Sequence, residues 1–453
     1  MKKKPLKIFF SGIGGSGVSA IAGFMADRGH SVTGSDRAFD ADPDHPVCRL
    51  LRAKGIGIVP QDGSGIDRTL DFAVFSTAVE SDQPEVVKAK DLGIPVKTRP
   101  EYLAEIVTGF TTIAVAGTSG KSTASGMLAF LMQRLGLEPN FIGGGRVKQF
   151  RTEANPGNSI SGDSDILVIE ACESDGAIVN YRPQHSIILN LDLDHHSIDR
   201  TAEMFATLVR HTRGLVVRNA DDDNLSRMAM PQAVTFSVDC PSGCRPENIV
   251  YKPFCTEFSL NSIRFMLSLP GKYNLSNSLS CIALLGEMGV SLADVAGVLH
   301  EFRGIERRFD VHLDNGKRLV IDDYAHNPHK IASLMKAVEK IKESICYIFQ
   351  PHGFAPTRMM KAEYINAFSH NLRASDHLIL LPIFYAGGTV SKDISSHDLA
   401  AGIKAAGKSA EVVENRKVIL DRTDEWDNYV VLGARDETLA DLAAALAQRF
   451  AFP

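Results

Sequence analysis

Ile113-Ala-Val-Ala-Gly-Thr-Ser-Gly-Lys-Ser-Thr123 decides how the rest of the chain is read. Ile113 to Ala116 is a short apolar run of strand type. Gly117 and Gly120 bracket a turn, and Lys121, Ser122 and Thr123 follow. Ala124, Leu128, Leu131 and Leu135 then recur at the spacing of one helix face. Strand, glycine turn and helix N-terminus together make a phosphate cradle: backbone N–H groups and the positive end of the helix dipole face the anion, and the lysine adds a full charge. Ser122 or Thr123 offers a hydroxyl to the magnesium ion that accompanies ATP. The commoner spacing, with glycine six residues before the lysine, is not met, because Val115 stands there. An ordinary Gly-Ser turn before a surface helix is the competing reading, and an apolar strand leading into Gly-x-x-Gly-Lys-Ser argues against it. Gly117, Thr118, Ser119, Gly120, Lys121, Ser122 and Thr123 are therefore candidates for a nucleotide-phosphate site, with Lys121 expected to be exposed on the turn.

Composition narrows the partners. A chain of 453 residues, 44% apolar and 23% charged, fits a globular protein of two to four domains. A net charge of −5 provides no basic surplus to neutralise nucleic-acid phosphates. No apolar run reaches the roughly 18 residues of a membrane span. Met1-Lys-Lys-Lys-Pro5 precedes only the stretch Leu6 to Phe10, too short for a signal peptide. The expectations are no nucleic acid, no membrane and a cytoplasmic location. Seven scattered cysteines fit a reducing compartment. Cys240, Cys244 and Cys255 lack a fourth ligand nearby and read as isolated thiols rather than a zinc site.

A second glycine signature opens the chain. Gly12-Ile-Gly14-Gly15-Ser16-Gly17 follows the strand-like Ile8-Phe-Phe-Ser and precedes the helical spacing of Val18, Ile21, Ala22 and Met25. Val32-Thr-Gly-Ser-Asp36 then reads as a second strand ending in an acid, so that Asp36 falls where a ribose hydroxyl is read in dinucleotide-binding folds. Alone, this suggests a nicotinamide-dependent dehydrogenase. The motif requires only a diphosphate over a helix N-terminus, however, and a nucleotide sugar also carries one. Alternation continues through a strand at Asp71 to Phe75 and a helix at Pro84 to Leu92, giving a first domain over 1–107.

In the middle region, 108–310, the strand Ile166 to Ile169 delivers Glu170 within Glu170-Ala-Cys-Glu173-Ser-Asp175. The strand Ser186 to Leu191 delivers Asp194-His195-His196. Parallel sheets place ligands at the carboxyl ends of their strands, so Glu170 and His195 belong on the rim of Lys121 and Ser122. Ser122, Glu170 and His195 make a plausible magnesium shell; His196 packs or hydrogen-bonds locally. The segment Pro270-Gly-Lys-Tyr-Asn274-Leu-Ser-Asn277 starts a helix, where Asn277 could read a base edge or ribose and Asn274 or Ser276 could act as a cap. Arg307 and Arg308 close the region as a pair placed to clamp phosphate. The last third, 311–453, repeats the αβ pattern with strands at Arg318 to Asp322, Ile345 to Phe349, His377 to Leu381 and Tyr429 to Leu432. Two polar loops follow the first two strands, Asp322-Asp323-Tyr324-Ala-His326-Asn-Pro328 and Gln350-Pro-His352-Gly-Phe-Ala-Pro356-Thr-Arg358.

Over nearly its whole length the chain resembles the Mur ligases, ATP-dependent enzymes that add amino acids to the peptidoglycan precursor. Gly12-Ile-Gly-Gly-Ser-Gly-Val-Ser19 is similar to the family's uridine-diphosphate loop, and Gly117 to Thr123 to its ATP loop. Glu170 to Asp175 is similar to its acidic motif, and Asp194-His195 to its magnesium-site histidine. The resemblance implies three α/β domains: a Rossmann-like UDP-sugar domain, a central P-loop-type ATPase domain with a parallel sheet, and a C-terminal Rossmann-like domain. It implies ATP and Mg2+ as cofactors, and an acyl phosphate made from the carboxylate of UDP-N-acetylmuramate and attacked by an amino acid, with L-alanine expected. By the same resemblance Lys121, His195, Arg308 and Glu170 are the catalytic set. Asn277, Arg308 and Asp323 join the ATP site, and Ser76 and Thr77 join Gly12, Gly14, Gly15, Ser16, Gly17 and Asp36 at the UDP-sugar site. Tyr324, His326, His352 and Arg358 bind the amino acid, and the protein is a monomer or weak homodimer.

Three positions depart from the family pattern. Ser119 stands where histidine or asparagine is usual, and Tyr273 precedes Asn274 in place of histidine. Pro356 occupies the position of the arginine that grips the incoming carboxylate, so either Arg358 substitutes or the acceptor is a preformed peptide, as in the peptide-recycling relatives. A non-catalytic nucleotide-binding regulator is a further alternative.

Overall fold

The computed structural model describes residues 4–193, 196–385 and 390–451. They form two compact units, Met1–Ile305 and Glu306–Pro453. No helix among the described residues is long and apolar enough to cross a membrane.

The first unit carries two parallel-rich sheets. In the N-terminal one the strand order is Gly57–Ile58, Ser31–Ser35, Lys7–Ser11, Phe72–Phe75, Val96–Thr98, all parallel. The chain runs from Lys7–Ser11 to one side and later returns to the other, so the crevice where strand order reverses opens at Ser11. Here the helix Ser16–Asp27 begins, burying Val18, Ile21 and Phe24 against the sheet.

The central sheet has the order Val234–Phe236, Val216–Asn219, His185–Ile188, Thr111–Ala116, Ile166–Glu170, Asn140–Ile142, Ser159–Ile160, and only its last pair is antiparallel. Thr111–Ala116 is the innermost strand by sequence logic as well as position: Ile113 to Ala116 are wholly buried, as a strand covered on both faces must be. Its neighbours Ile166–Glu170 and His185–Ile188 end at the same edge, bringing Gly117, Glu170 and Asn190 together. The helix Lys121–Arg134 packs its apolar face into this core beside the helix Lys272–Glu287. The latter starts at Gly271, so neither Asn274 nor Ser276 is its cap; Asn274 Nδ2 instead donates to Pro270 O at 2.8 Å. A small antiparallel meander, Glu247–Tyr251, Thr256–Leu260 and Ile263–Leu267, completes the unit.

The second unit is built on a six-stranded sheet in the order Asp310–Asp314, Leu319–Asp323, Asn428–Gly433, Cys346–Gln350, His377–Leu380, Ala410–Val412. Only the first pair is antiparallel. The stretch after Gln350, expected as a loop throughout, contains a short helix, Phe354–Met359, that includes both Pro356 and Arg358. Pro356 is tolerated because first-turn residues owe no intrahelical N–H bond.

Candidate active site

At the carboxyl edge of the central sheet the glycine turn is held by Asn190, which sequence reading did not single out. Its Oδ1 accepts from Thr118 Oγ1 and from the Ser119 N–H, both at 2.8 Å, and its Nδ2 donates to Ser119 O at 2.9 Å. Ser119 thus contributes through its backbone. Gly120 adopts φ +85°, and a Cβ there would come within 2.5 Å of Asn277 Oδ1, so the turn requires glycine and lies directly against Asn277. No side chain caps the helix that starts at Lys121.

Lys121 corrects an expectation. It is the first residue of the helix and is 9% exposed, not an exposed loop side chain. Its Nζ donates to Gly117 O at 2.6 Å and to both oxygens of Glu173, at 3.1 and 2.8 Å. Glu173 is 1% exposed. Burial alone would lower the Lys121 pKa; the groups facing it on Cys172, Glu173 and Glu170 together outweigh burial, and the pKa is raised. The lysine is held because the turn after Ile166–Glu170 carries Glu173 under the loop. Cys172, on the same turn, has its thiol pKa raised by burial and remains protonated at neutral pH.

Glu170 ends its strand facing the loop. Ser122 Oγ donates to Glu170 Oε1 at 3.1 Å, and the Gly144 N–H donates to Oε2 at 2.8 Å. A hydroxyl and a carboxylate at this separation suit a hard divalent cation. Asp194 and His195 lie outside the described residues. His196 is half-buried, and its Nε2 has no partner among the described residues.

The N-terminal glycine loop has its own supports. Gly12 has φ +74°, and a Cβ there would lie 2.8 Å from Ser76 Cβ. The Gly12 and Ile13 N–H groups both donate to Ser35 O. Asp36, expected to read a ribose, spends its two oxygens on the Gly14 N–H at 2.9 Å and the Ala38 N–H at 3.0 Å. It shapes the loop because it also caps the next short helix. Ser76 Oγ accepts from the Ala78 N–H in the tight turn that contains Thr77. Beneath lies Glu85, wholly buried and missed in the sequence, which accepts from Ser11 Oγ and Ser35 Oγ, each at 2.5 Å. Burial raises its pKa. Asn158, 1% exposed, donates to Ser16 O and Ser19 Oγ, both at 2.9 Å, and ties the helix that starts at Ser16 to the central region.

In the second unit the arginine pair divides. Arg307 is 4% exposed and does not reach for phosphate: it bonds Asp322 at 3.0 Å, Gly433 O at 2.7 Å and Asp436 O at 3.0 Å. Burial raises the Asp322 pKa to about 7 although Arg307 opposes it. Arg308, half-buried, lies with its Cζ 5.0 Å from the centre of the Tyr324 ring. Asp323, expected at the ATP site, accepts the Phe309 N–H at 2.6 Å and the Ala325 N–H at 2.7 Å and so shapes the backbone of its loop. Tyr324, His326 and His352 form one cluster, with ring centres 5.6 and 5.2 Å apart. Burial lowers the His326 pKa to about 4 and lowers that of His352, so both are neutral at pH 7. Arg358 sits on the helix Phe354–Met359, ion-paired with Asp393 and donating to Ser391 O at 2.9 Å.

Two uncapped helix N-termini, each behind a glycine turn at the crevice of a parallel-rich sheet, give this chain two positions where backbone N–H groups can meet an anion. Family descriptions match in sequence order: the Mur ligase family catalytic domain over residues 7–111, the Mur ligase middle domain over 115–285, and the Mur ligase glutamate ligase domain over 307–435. UDP-N-acetylmuramate–L-alanine ligase of Fusobacterium nucleatum is 32% identical over 96% of this chain and 95% of its own length. The Synechococcus protein of that name is 32% identical, over 95% and 93%. Among solved structures, UDP-N-acetylmuramate-alanine ligase from Thermotoga maritima superposes with a TM-score of 0.82 at 27% identity, covering 98% of this chain and 99% of that one. A murein peptide ligase from Psychrobacter arcticus shares the fold, with a TM-score of 0.70 at 22% identity over 99% of each chain. The chain belongs to the Mur ligase family and is an ATP-dependent, ADP-forming ligase.

Proposed function

We propose that the protein joins L-alanine to the carboxylate of UDP-N-acetylmuramate in peptidoglycan precursor synthesis. The observation that carries this reading is the rim where Lys121, Ser122 and Glu170 meet, with Ser122 Oγ 3.1 Å from Glu170 Oε1. The relatives that bear this activity in their names support the choice of substrates.

A carboxylate is a poor electrophile at neutral pH. Its oxygen attacks the γ-phosphorus of ATP, the bond to the bridging oxygen breaks, and ADP leaves. The deprotonated amine of the acceptor then attacks the acyl carbon, and orthophosphate departs with the electron pair of the C–O bond and takes up the proton that the nitrogen loses. Gly117 to Thr123 cradle the polyphosphate, and Lys121 exchanges Glu173 for the charge gathering on the transferred group. Arg308 adds positive charge, and Asn277 meets the nucleoside. Ser122 and Glu170 would hold one magnesium ion and His195 a second, and these offset phosphoryl charge when bound. Gly12 to Gly17 take the nucleotide sugar, with Asp36, Ser76 and Thr77 fixing the loop. Tyr324, His326 and His352 receive the acceptor.

One observation favours a second acceptor. The Arg358 guanidinium is already bonded to Asp393 and Ser391 O, and Pro356 replaces the expected arginine. A peptide, whose carboxylate lies away from its amine, would not need that clamp. Phosphate release with ATP, UDP-N-acetylmuramate and either L-alanine or a tripeptide decides the matter. Release with L-alanine alone is expected; release with the tripeptide alone overturns the acceptor, and release with neither overturns the substrate assignment.

A further inference from the structure

The N-terminal glycine loop has a charge problem. The helix Ser16–Asp27 starts at Gly15 without a side-chain cap, which suits an anion. Yet Asp36 places a carboxylate against the Gly14 N–H, 2.9 Å away. A diphosphate arriving there meets that negative charge and requires a nearby cation.

Arg99 supplies one from outside the motif. A Cβ added to Gly17 would lie 3.7 Å from Arg99 Cδ and 3.8 Å from its Cζ and Nε, so the guanidinium rests against the first turn of the loop's helix. Arg99 begins the helix Arg99–Thr108, whose start is fixed by the capping box of Thr98 and Glu101. Among the described residues its one side-chain hydrogen bond runs from Nη2 to Asp175, whose other oxygen accepts the Ala177 N–H at 3.1 Å. A guanidinium has five N–H donors in a planar fork suited to phosphate oxygens. The side chain is 21% exposed, so it is both held and accessible.

We propose that Arg99 is a substrate residue: its guanidinium takes the diphosphate of the nucleotide sugar at the Gly12–Gly17 loop, and Asp175 holds it in position. This rests on the reading of that loop as the nucleotide-sugar site. The competing account is a plain ion pair linking the two sheets of the first unit.

The test compares binding of UDP and of uridine to the full-length protein by calorimetry, in the parent, Arg99→Ala, Arg99→Lys, Asp175→Asn and the double variant Arg99→Ala with Asp175→Asn. The double variant leaves no lone charge if Arg99→Ala alone misfolds. The parent should prefer UDP. Arg99→Ala and the double variant should lose roughly tenfold to a hundredfold in UDP affinity, the size of a charge-assisted hydrogen bond, with uridine and ATP affinities unchanged. Arg99→Lys should recover part of the loss, and Asp175→Asn should lose less than Arg99→Ala. Equal weakening of UDP and uridine, an unchanged preference in Arg99→Ala, or an Asp175→Asn loss matching that of Arg99→Ala overturns the role of Arg99. A parent that does not distinguish UDP from uridine overturns the reading of the loop itself, and the Arg99 role with it.

Discussion

At Gly15 and again at Gly120 a parallel strand hands over to a helix whose first turn no side chain caps. Several other helices are capped by a side chain, as with Ser197, Ser291 and Asn327. The two loops differ in where their charge comes from. At Gly117–Lys121 the cation belongs to the helix itself and is neutralised from below by Glu173. At Gly12–Gly17 the side chain that bonds the loop's Gly14 N–H is an acid, Asp36, and the cation, Arg99, stands on another helix. A loop with its own lysine is equipped to follow charge that moves during phosphoryl transfer. A loop shaped by an aspartate is equipped to hold a diphosphate that does not react.

The largest test of this contrast is the lysine. Lys121→Ala alone would strand a buried carboxylate, and breaking such a pair costs about 3–5 kcal/mol of stability. Combined with Glu173→Gln, it should leave a folded protein in which ligation falls on the order of 10²–10³-fold. UDP affinity should stay unchanged. Steady-state rates with calorimetry check both, and near-parental turnover would sink the assignment of the second loop.

Glycine replacement should separate the loops next. Gly12→Ala and Gly120→Ala each force a side chain into φ near +80°, at +74° and +85°, and into contact with Ser76 or Asn277. Strain of about 1–3 kcal/mol is expected at each. Gly12→Ala should raise the Michaelis constant for the nucleotide sugar only, and Gly120→Ala that for ATP only. If either variant impairs both ligands equally, the loops are not independent sites.

Glu170→Gln should act only on the second loop, raising the magnesium concentration for half-maximal rate by several-fold while leaving UDP binding alone. A magnesium titration that overlays the parental one removes Glu170 from the metal's shell.

The smallest effect lies outside both loops. The folded-state pKa of His326, about 4, is below the ordinary 6.5. Between those values the unfolded chain takes up a proton that the folded chain refuses. Stability therefore falls as pH drops from about 6.5 towards 4 and levels off below. Urea midpoints across that window should slope downwards, and His326→Gln should flatten the slope. An identical slope in the variant would show that His326 titrates normally.

Both loops and the strands that carry them could be read from the sequence, because each depends on contiguous residues: an apolar run, a glycine turn and a helical period. What could not be read depends on partners far along the chain. Lys121 is buried because Glu173 arrives 52 residues later, and Arg99 meets Asp175 across 76. Arg307 looked like half of a phosphate clamp, but it is occupied by carbonyls at Gly433 and Asp436. Asp36 carried a positional signal for ribose, and the Gly14 amide competes for the same oxygen. Arg358 falls on a helix because a proline in the first turn does not break one.

The pairing of Lys121 with Glu173 has a consequence for selectivity. In the resting protein the lysine's charge is already answered inside the fold, so the turn offers a passing monoanion little that Glu173 does not already provide. An intruder must outbid a bidentate carboxylate sealed from water. A lone orthophosphate, which the reaction itself releases, brings few contacts to that contest. A nucleotide polyphosphate gains the loop amides and the helix end together. On the proposed reading of this loop, the buried glutamate sets a higher threshold for a lone orthophosphate than for a nucleotide polyphosphate.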